Sequence, residues 1–96
     1  MARLIYSTAA LADIEALTAF LAEADIASAQ ATFSLIDEAI GILQRHPLIG
    51  RPVEEDLREL VISRGKTGYV ALYSLEAAED AVLILDIRHQ REAGYW

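Results

Sequence analysis

The strongest constraint on the fold is a change of hydrophobic period at residues 46–55. Before this segment, large apolar residues recur at spacings of three and four, as they do on one face of a helix. After it, the chain contains short β-branched runs and alternating apolar and polar positions, which are typical of strands. Pro47, Gly50 and Pro52 interrupt both patterns, so we expect a loop from His46 to Glu55.

The residues before this loop predict two helices. Ser7 and Thr8 can cap the first, which should run from Ala9 to about Ala24. Its apolar positions fall on one face: Leu11, Ile14, Leu17 and Leu21.

Asp25 is a candidate N-cap for the second helix. This helix should end near His46, because Pro47 disfavours helical geometry in the residue before it. Its apolar positions also form one seam: Ala29, Phe33, Ile36, Ile40 and Leu43. The short connection between the two helices predicts an antiparallel hairpin.

Four strands are predicted, one before the helices at 3–6 and three after the loop at 57–63, 68–75 and 81–87. Short connections make the last three an antiparallel meander. The order β-α-α-β-β-β predicts an α+β fold, in which a mostly antiparallel sheet packs against an N-terminal antiparallel helix hairpin. We expect residues 1–96 to form one domain.

Composition narrows the class of function. The chain has 15 acidic and 8 basic residues and a net charge of −7, which disfavours general affinity for nucleic acid. It has no cysteine, which is compatible with a cytoplasmic location. No apolar stretch approaches the roughly 20 residues that cross a bilayer, so no membrane association is expected. The two histidines are far apart and predict no metal site, and no motif predicts a cofactor.

Four segments resemble the ParE branch of the RelE/ParE toxin family. They are HPLIGRP at 46–52, LRELV at 57–61, GYVALY at 68–73 and ILDIRHQR at 84–91. Their order and spacing match the family over nearly the whole chain. The resemblance implies the toxin of a bacterial type II toxin–antitoxin pair, which poisons DNA gyrase without catalysis of its own. It also implies neutralisation by a cognate antitoxin with an N-terminal ribbon-helix-helix domain.

The alternative that the resemblance leaves open is a RelE-like endoribonuclease that cuts messenger RNA on the ribosome. Such enzymes place an arginine directly after the Gly-Tyr of the middle strand, where this chain has Val70. In-line RNA cleavage requires groups that activate the 2′-hydroxyl, neutralise the phosphate and protonate the leaving oxygen. The groups available for such chemistry are Arg58, Arg64, Lys66, Arg91 and Tyr95.

The predicted contact surface for the target or the antitoxin is centred on the end of the last strand. It combines basic residues of that end and of the 64–67 turn with nearby aromatic residues: Arg64, Lys66, Tyr73, Arg88, His89, Arg91, Tyr95 and Trp96. Because the chain is acidic overall, we expect no direct binding of nucleic acid by the toxin alone.

Each of these residues also has a structural interpretation. Arg88 can pair with Asp86, His89 can cap the strand end, and the turn charges can serve solubility. Arg58 lies beside Glu55, Asp56 and Glu59, where exposed ion pairs would contribute only about 0–1 kcal/mol to stability. Tyrosines on one face of a strand commonly pack in the core. A family member that no longer poisons any target is the third possibility.

Overall fold

The computed structural model describes the backbone of residues 2–64 and 67–89, and the side chains of the same residues except 63, 64 and 67. Within this part of the chain, a β-strand, two α-helices and four further strands follow one another. Their bounds are β1 Arg3–Tyr6, α1 Thr8–Ala24, α2 Ile26–Gly41, β2 Arg51–Glu54, β3 Leu57–Arg64, β4 Thr67–Glu76 and β5 Ala81–His89. Two short 3-10 helices span Ile42–Gln44 and Ala77–Glu79.

The strands form one sheet in the order β1-β5-β4-β3-β2. The β2 to β5 pairs are antiparallel, and β1 lies parallel to β5, with Arg3 opposite Ala81 and Tyr6 opposite Ile84. The α+β prediction is confirmed. The expectation of an unbroken loop from His46 to Glu55 was wrong, because β2 lies inside it. Pro52 is compatible with β2 because this strand is at the edge of the sheet. Proline has no backbone N–H, and at the edge its absence need not remove a hydrogen bond between strands.

Local capping fixes both helix starts. The Ser7 hydroxyl accepts a hydrogen bond from the Ala10 N–H at 2.9 Å and donates one to the Leu85 carbonyl at 2.7 Å, which ties α1 to β5. Asp25 caps α2 as predicted, because its carboxylate accepts from the Ala27 N–H at 3.0 Å. Its backbone N–H donates to the Leu21 carbonyl and so closes α1.

The second helix ends earlier than the sequence predicts. It stops at Gly41, and the 3-10 turn Ile42–Gln44 continues the chain toward the proline. Glycine weakens a helix by up to about 1 kcal/mol relative to alanine, which favours a change of geometry here. The N–H groups of Arg45 and His46 both donate to the Ile42 carbonyl and close the turn.

The core lies between the helix hairpin and one face of the sheet. Its largest fully buried side chains come from both layers: Tyr73, Ile36, Ile40, Leu43, Ile84 and Val82. Each such burial stabilises the fold by about 1.5–3 kcal/mol. The predicted α1 face is wrong at Leu11, which is 54% exposed, because Ala10 is the residue that packs into the core at this turn.

The segment Ile26–Gln44 is 19 residues long and apolar enough to cross a membrane, judged by length and composition. The expectation that no stretch approaches this length was therefore wrong. Here Ile36, Ile40 and Leu43 of this segment are buried in the core of the domain.

Candidate functional site

The end of β5 pairs with β4 on one side but extends beyond β1 on the other. The strand β1 pairs only with residues Ala81 to Ile84, so its support ends halfway along β5. Helix α1 supplies the next contact, because the Asp13 carboxylate accepts a hydrogen bond from the Ile87 N–H at 3.0 Å. This bond satisfies a backbone donor that β1 does not reach. The cationic segment predicted from the sequence begins directly after this contact.

Arg88 and His89 occupy the last two positions of β5. The Arg88 side chain is 42% exposed, and its Nε lies 3.8 Å from Oδ2 of Asp86. The His89 ring meets the Tyr69 ring edge-on, with 5.5 Å between centroids. The predicted pairing of Arg88 with Asp86 is therefore present, at a long distance, and the Arg88 side chain is partly exposed.

Two grooves meet at Arg88. The strand-end groove lies between α1 and β5, has a volume of about 380 Å³ and is lined by Asp13, Ala16, Leu17, Phe20, Ile87, Arg88 and His89. The sheet groove lies on the sheet face away from the helices, has a volume of about 270 Å³ and is lined by Val53, Glu54, Leu57, Leu72, Asp86 and Arg88. A partner that contacts Arg88 can therefore use apolar surface on either side of it.

The ionised form of the Asp86 carboxyl is disfavoured in the folded chain. Burial raises the pKa of its carboxyl, the Arg88 guanidinium lowers that pKa, and the Asp13 carboxylate raises it further. Its Oδ1 atom is buried and has no hydrogen-bond partner among the residues that the structure describes. An unpaired buried carboxylate oxygen lowers stability, because it loses water without gaining a donor.

We expect Asp86→Asn to raise the free energy of unfolding at pH 7 and to have little effect near pH 3.5. A raised folded pKa means that the wild-type fold is most favoured while Asp86 is protonated. Stability is lost as pH rises from the ordinary value of 3.8 through the folded pKa. Urea unfolding at both pH values measures the difference. Asp56→Asn makes the same charge change at an exposed turn, and an equal gain in both variants would refute the prediction.

Tyr73 was predicted as a binding residue, and the structure corrects this. Its side chain is fully buried. Its hydroxyl accepts a hydrogen bond from the Gly50 N–H at 2.9 Å and donates one to the Pro47 carbonyl at 2.8 Å. Burial raises the pKa of Tyr73, whereas the bond from Gly50 and the charge of Arg58 lower it. Tyr73 therefore anchors the 47–50 loop from the core and offers no surface to a partner.

Arg58 also serves this loop, contrary to the expected ion pairs with neighbouring acids. Its Nη1 atom donates to the carbonyl of Leu48 at 3.1 Å and to that of Gly50 at 2.7 Å. Glu59 pairs instead with Arg51, which stands opposite it in the β2–β3 register. Strand alternation explains why Arg58 and Glu59 have different partners and do not pair with each other, because adjacent residues on β3 point to opposite faces.

The anchored loop exposes two large apolar side chains. Leu48 is 62% exposed and Ile49 is 57% exposed. Sequence reasoning missed both, although their position between Pro47 and Gly50 in a turn could have indicated exposure.

A third groove, the hairpin groove, is lined only by residues of α1 and α2 and has a volume of about 840 Å³. Small side chains such as Ala19 and Ala22 line it together with Ile26 and Phe33, which are 66% and 46% exposed. The sequence had placed Phe33 in the buried seam, and this was wrong because Ile36 and Ile40 are the large side chains of α2 that pack in the core. Exposed apolar area of this kind commonly marks an interaction surface.

Several predicted site residues are not tested by the structure. Lys66, Arg91, Tyr95 and Trp96 lie outside the described residues, and of Arg64 only the backbone in β3 is described. Of the predicted patch, the structure brings Arg88 and His89 together at the end of β5. Across residues 2–64 and 67–89, no group of three His, Cys, Asp or Glu side chains is arranged to hold a metal ion.

Comparison with known proteins identifies the protein family to which the chain belongs. The family profile described as the ParE toxin of the type II toxin–antitoxin system parDE matches residues 4–94. The chain therefore belongs to the ParE toxin family of type II toxin–antitoxin systems. A comparison with curated protein sequences gave no significant match.

Two solved structures support the fold assignment. A chain of the chromosomal ParDE system from P. aeruginosa is 24% identical, with a TM-score of 0.75, and the match covers 93% of this chain and 96% of that one. A chain of the toxin–antitoxin complex RelBE2 from Mycobacterium tuberculosis is 27% identical, with a TM-score of 0.59, over 92% and 96% of the two chains. Both the ParE-type and the RelE-type relatives thus share this arrangement of two helices and a sheet.

Proposed function

We propose that this chain is the toxin of a type II toxin–antitoxin module, that it arrests growth by binding and poisoning DNA gyrase, and that a cognate antitoxin neutralises it in the cytoplasm. The family match over residues 4–94 carries the proposal. The similar chains from P. aeruginosa and M. tuberculosis come from toxin–antitoxin systems, which supports an antitoxin partner for this chain.

The described part of the open sheet face favours a protein target over RNA. Val70, at the position where RelE-like enzymes carry an arginine, is 3% exposed and lies opposite Arg88. The sheet groove is lined by three apolar side chains and by Glu54, Asp86 and Arg88, so two of its three charged side chains would repel a phosphate backbone. A surface of this composition is better suited to a protein than to stabilising an in-line phosphoryl transition state.

The grooves of the described residues offer an antitoxin more than one place to bind. The strand-end groove, the sheet groove and the hairpin groove together offer separate apolar contacts for a segment that wraps around the domain. A disordered antitoxin segment that folds on binding can cover such a surface, although ordering it reduces the affinity gained per unit area. We propose that its N-terminal part is a ribbon-helix-helix domain.

The test is to express the chain without its antitoxin and to measure both gyrase-mediated DNA cleavage and messenger integrity. We expect trapped gyrase–DNA breaks with intact messages. Messages cut on the ribosome would instead support the ribonuclease alternative. Normal growth at confirmed expression would support a member that no longer poisons a target.

Charge reversal at the strand end should separate binding from folding. We expect Arg88→Glu to weaken gyrase poisoning at least about tenfold, because like charges placed across an interface cost more than about 1.4 kcal/mol. DNA-cleavage assays with purified gyrase and each toxin variant measure this effect. Arg45→Glu reverses another exposed charge, in the 45–49 segment, and is the matched control. Equal poisoning by wild type and Arg88→Glu, with both folded, would move the working surface elsewhere.

A further inference from the structure

The last strand contains a β-bulge at the point where β1 ends. In the register of β4 and β5, Leu72 lies opposite Asp86, whereas the next residue, Tyr73, lies opposite Ile84. Leu85 therefore has no partner in β4 and is the extra residue of the bulge. The pairing of β1 with β5 also ends at Ile84. The bulge thus separates the half of β5 that β1 flanks from the half that carries the candidate site.

The bulge changes which residues of β5 face the helices. Ile84 and Ile87 both lie in the core, although strict alternation would place residues three apart on opposite faces of the sheet. Because Leu85 is extra, Asp86 and Arg88 both line the sheet groove, on the face away from the helices. Unbroken alternation from Ile84 would instead direct Asp86 and Arg88 toward the core. The position of the Arg88 side chain on the candidate surface therefore depends on the bulge.

Helix α1 and its cap supply the hydrogen bonds that hold β5 at and beyond the bulge. The Ser7 hydroxyl donates to the carbonyl of Leu85 at 2.7 Å, and the Asp13 carboxylate accepts from the Ile87 N–H at 3.0 Å. A bulge interrupts the bonds between strands, and the backbone groups that it releases need other partners. Ser7 and Asp13 thus take the place of β1 beyond its last paired residue.

Capping and the helix dipole do not account for both residues. The Ser7 hydroxyl also caps α1 by accepting from the Ala10 N–H, but a cap needs only an acceptor, whereas the bond to Leu85 needs a donor. A hydroxyl group supplies both. Asp13 is the sixth residue of α1, beyond the first turn, to which the favourable effect of the dipole on an acid is largely confined.

We propose that Ser7 and Asp13 are positioning residues: by holding the bulge at Leu85, they keep the Arg88 side chain on the open face of the sheet, where it contacts the target. This inference rests on the proposed function, since it explains how the contact surface at Arg88 is maintained. It predicts that loss of either hydrogen bond reduces toxicity while the helices and the core stay folded.

Four single variants separate these hydrogen bonds from the other roles of the two side chains. Ser7→Thr keeps the donor and the acceptor, and Asp13→Asn keeps an acceptor without the charge. Ser7→Asp keeps the cap but at neutral pH cannot donate to the Leu85 carbonyl, and Asp13→Ala removes the acceptor. We expect Ser7→Asp and Asp13→Ala to reduce trapped gyrase–DNA breaks at least about tenfold per folded molecule, whereas the two conservative variants stay close to wild type.

Asp25→Ala is the control for a general loss of stability. It removes the N-cap of α2, at the other end of α1 from Ser7. Urea unfolding ranks all the variants by stability. Asp25→Ala should unfold at lower urea than wild type, yet its folded fraction should poison gyrase as wild type does. Poisoning that simply follows stability across the five variants would overturn the inference.

Amide hydrogen exchange tests the positioning without reference to the target. Ser7→Asp and Asp13→Ala should speed exchange at residues 85–88, and Asp13→Ala should do so at Ile87 by at least about tenfold. The amides of residues 82–84 should exchange as in wild type, because this part of β5 is paired with β1. Unchanged exchange after the bulge would overturn the inference.

Growth arrest is measured with the same variants, because it requires no knowledge of the target. Undiminished arrest by Ser7→Asp and Asp13→Ala would overturn the inference. Arrest that depends on both residues but produces no gyrase–DNA breaks would support positioning and count against gyrase as the target. If the wild-type chain does not arrest growth, the proposed function fails, and the exchange result alone decides whether Ser7 and Asp13 hold the bulge.

Discussion

Replacing Gly50 with alanine is expected to reduce the free energy of unfolding by about 3 kcal/mol or more, a large part of the 5–15 kcal/mol that stabilises a typical domain. A Cβ at this position would lie 2.5 Å from the Tyr73 hydroxyl oxygen and 2.7 Å from the Glu59 carbonyl oxygen. The carbonyl belongs to β3 and cannot move without disturbing the sheet. Thermal unfolding should therefore shift down by more than about 12 °C, at roughly 4 °C per kcal/mol.

Gly41→Ala is the matched control for this change. A Cβ at Gly41 meets nothing within 4 Å, and the residue has helical dihedral angles of −57° and −29°. Alanine should stabilise that position by about 0.5–1 kcal/mol through its greater helix propensity. If Gly50→Ala and Gly41→Ala have similar effects, the close approach of the loop to Tyr73 is not a determinant of stability.

The sequence was most informative where structure depends on neighbours in the chain. Asp25 was predicted as an N-cap because capping involves a side chain and the next two or three residues, and its bond to Ala27 confirms this. Alternation likewise placed Tyr69, Ala71 and Tyr73 on one side of β4, and all three lie in the core, although Tyr73 had been assigned to the contact surface.

Predictions failed where the outcome depends on a distant partner. The strand β2 is short and edge-located, and only its pairing with β3 distinguishes it from the loop around it. Arg58 was expected to pair with nearby acids, yet the fold brings the carbonyls of Leu48 and Gly50 to its guanidinium. Sequence distance gives no information about which of these acceptors is closest in space.

In the candidate site, too, the features set by neighbours in the chain were predictable and those set by distant partners were not. The cationic character of Arg88 and His89 is local and was evident from the sequence, whereas the grooves on either side of Arg88 arise from packing of α1 and β2–β5. The role of Asp13 could not be inferred from its position near a helix start, because its partner, the Ile87 N–H, is 74 residues away. Placement of the site thus depends on tertiary contacts that pattern alone does not encode.

Tyr73→Phe is expected to cost about 2–4 kcal/mol without changing the shape of the core. The substitution removes only the hydroxyl, so the Gly50 N–H and the Pro47 carbonyl both lose their side-chain partner. Each buried group left without a partner costs about 1–3 kcal/mol. Urea unfolding measures the loss, and Tyr69→Phe, in the same strand and equally core-facing, should cost less because no hydrogen bond of its hydroxyl to a described residue anchors a loop.

The two loop substitutions should also fail to rescue each other. Phenylalanine at 73 removes the hydroxyl that an alanine at Gly50 would meet, but Cε1 of the ring and the Glu59 carbonyl would both still lie 2.7 Å from the new Cβ. The double variant should therefore be less stable than either single variant. Recovery of stability in the double variant would show that the hydroxyl alone sets the close approach. In that case Gly50 would be required by the hydrogen bond to Tyr73 and not by the path of β3.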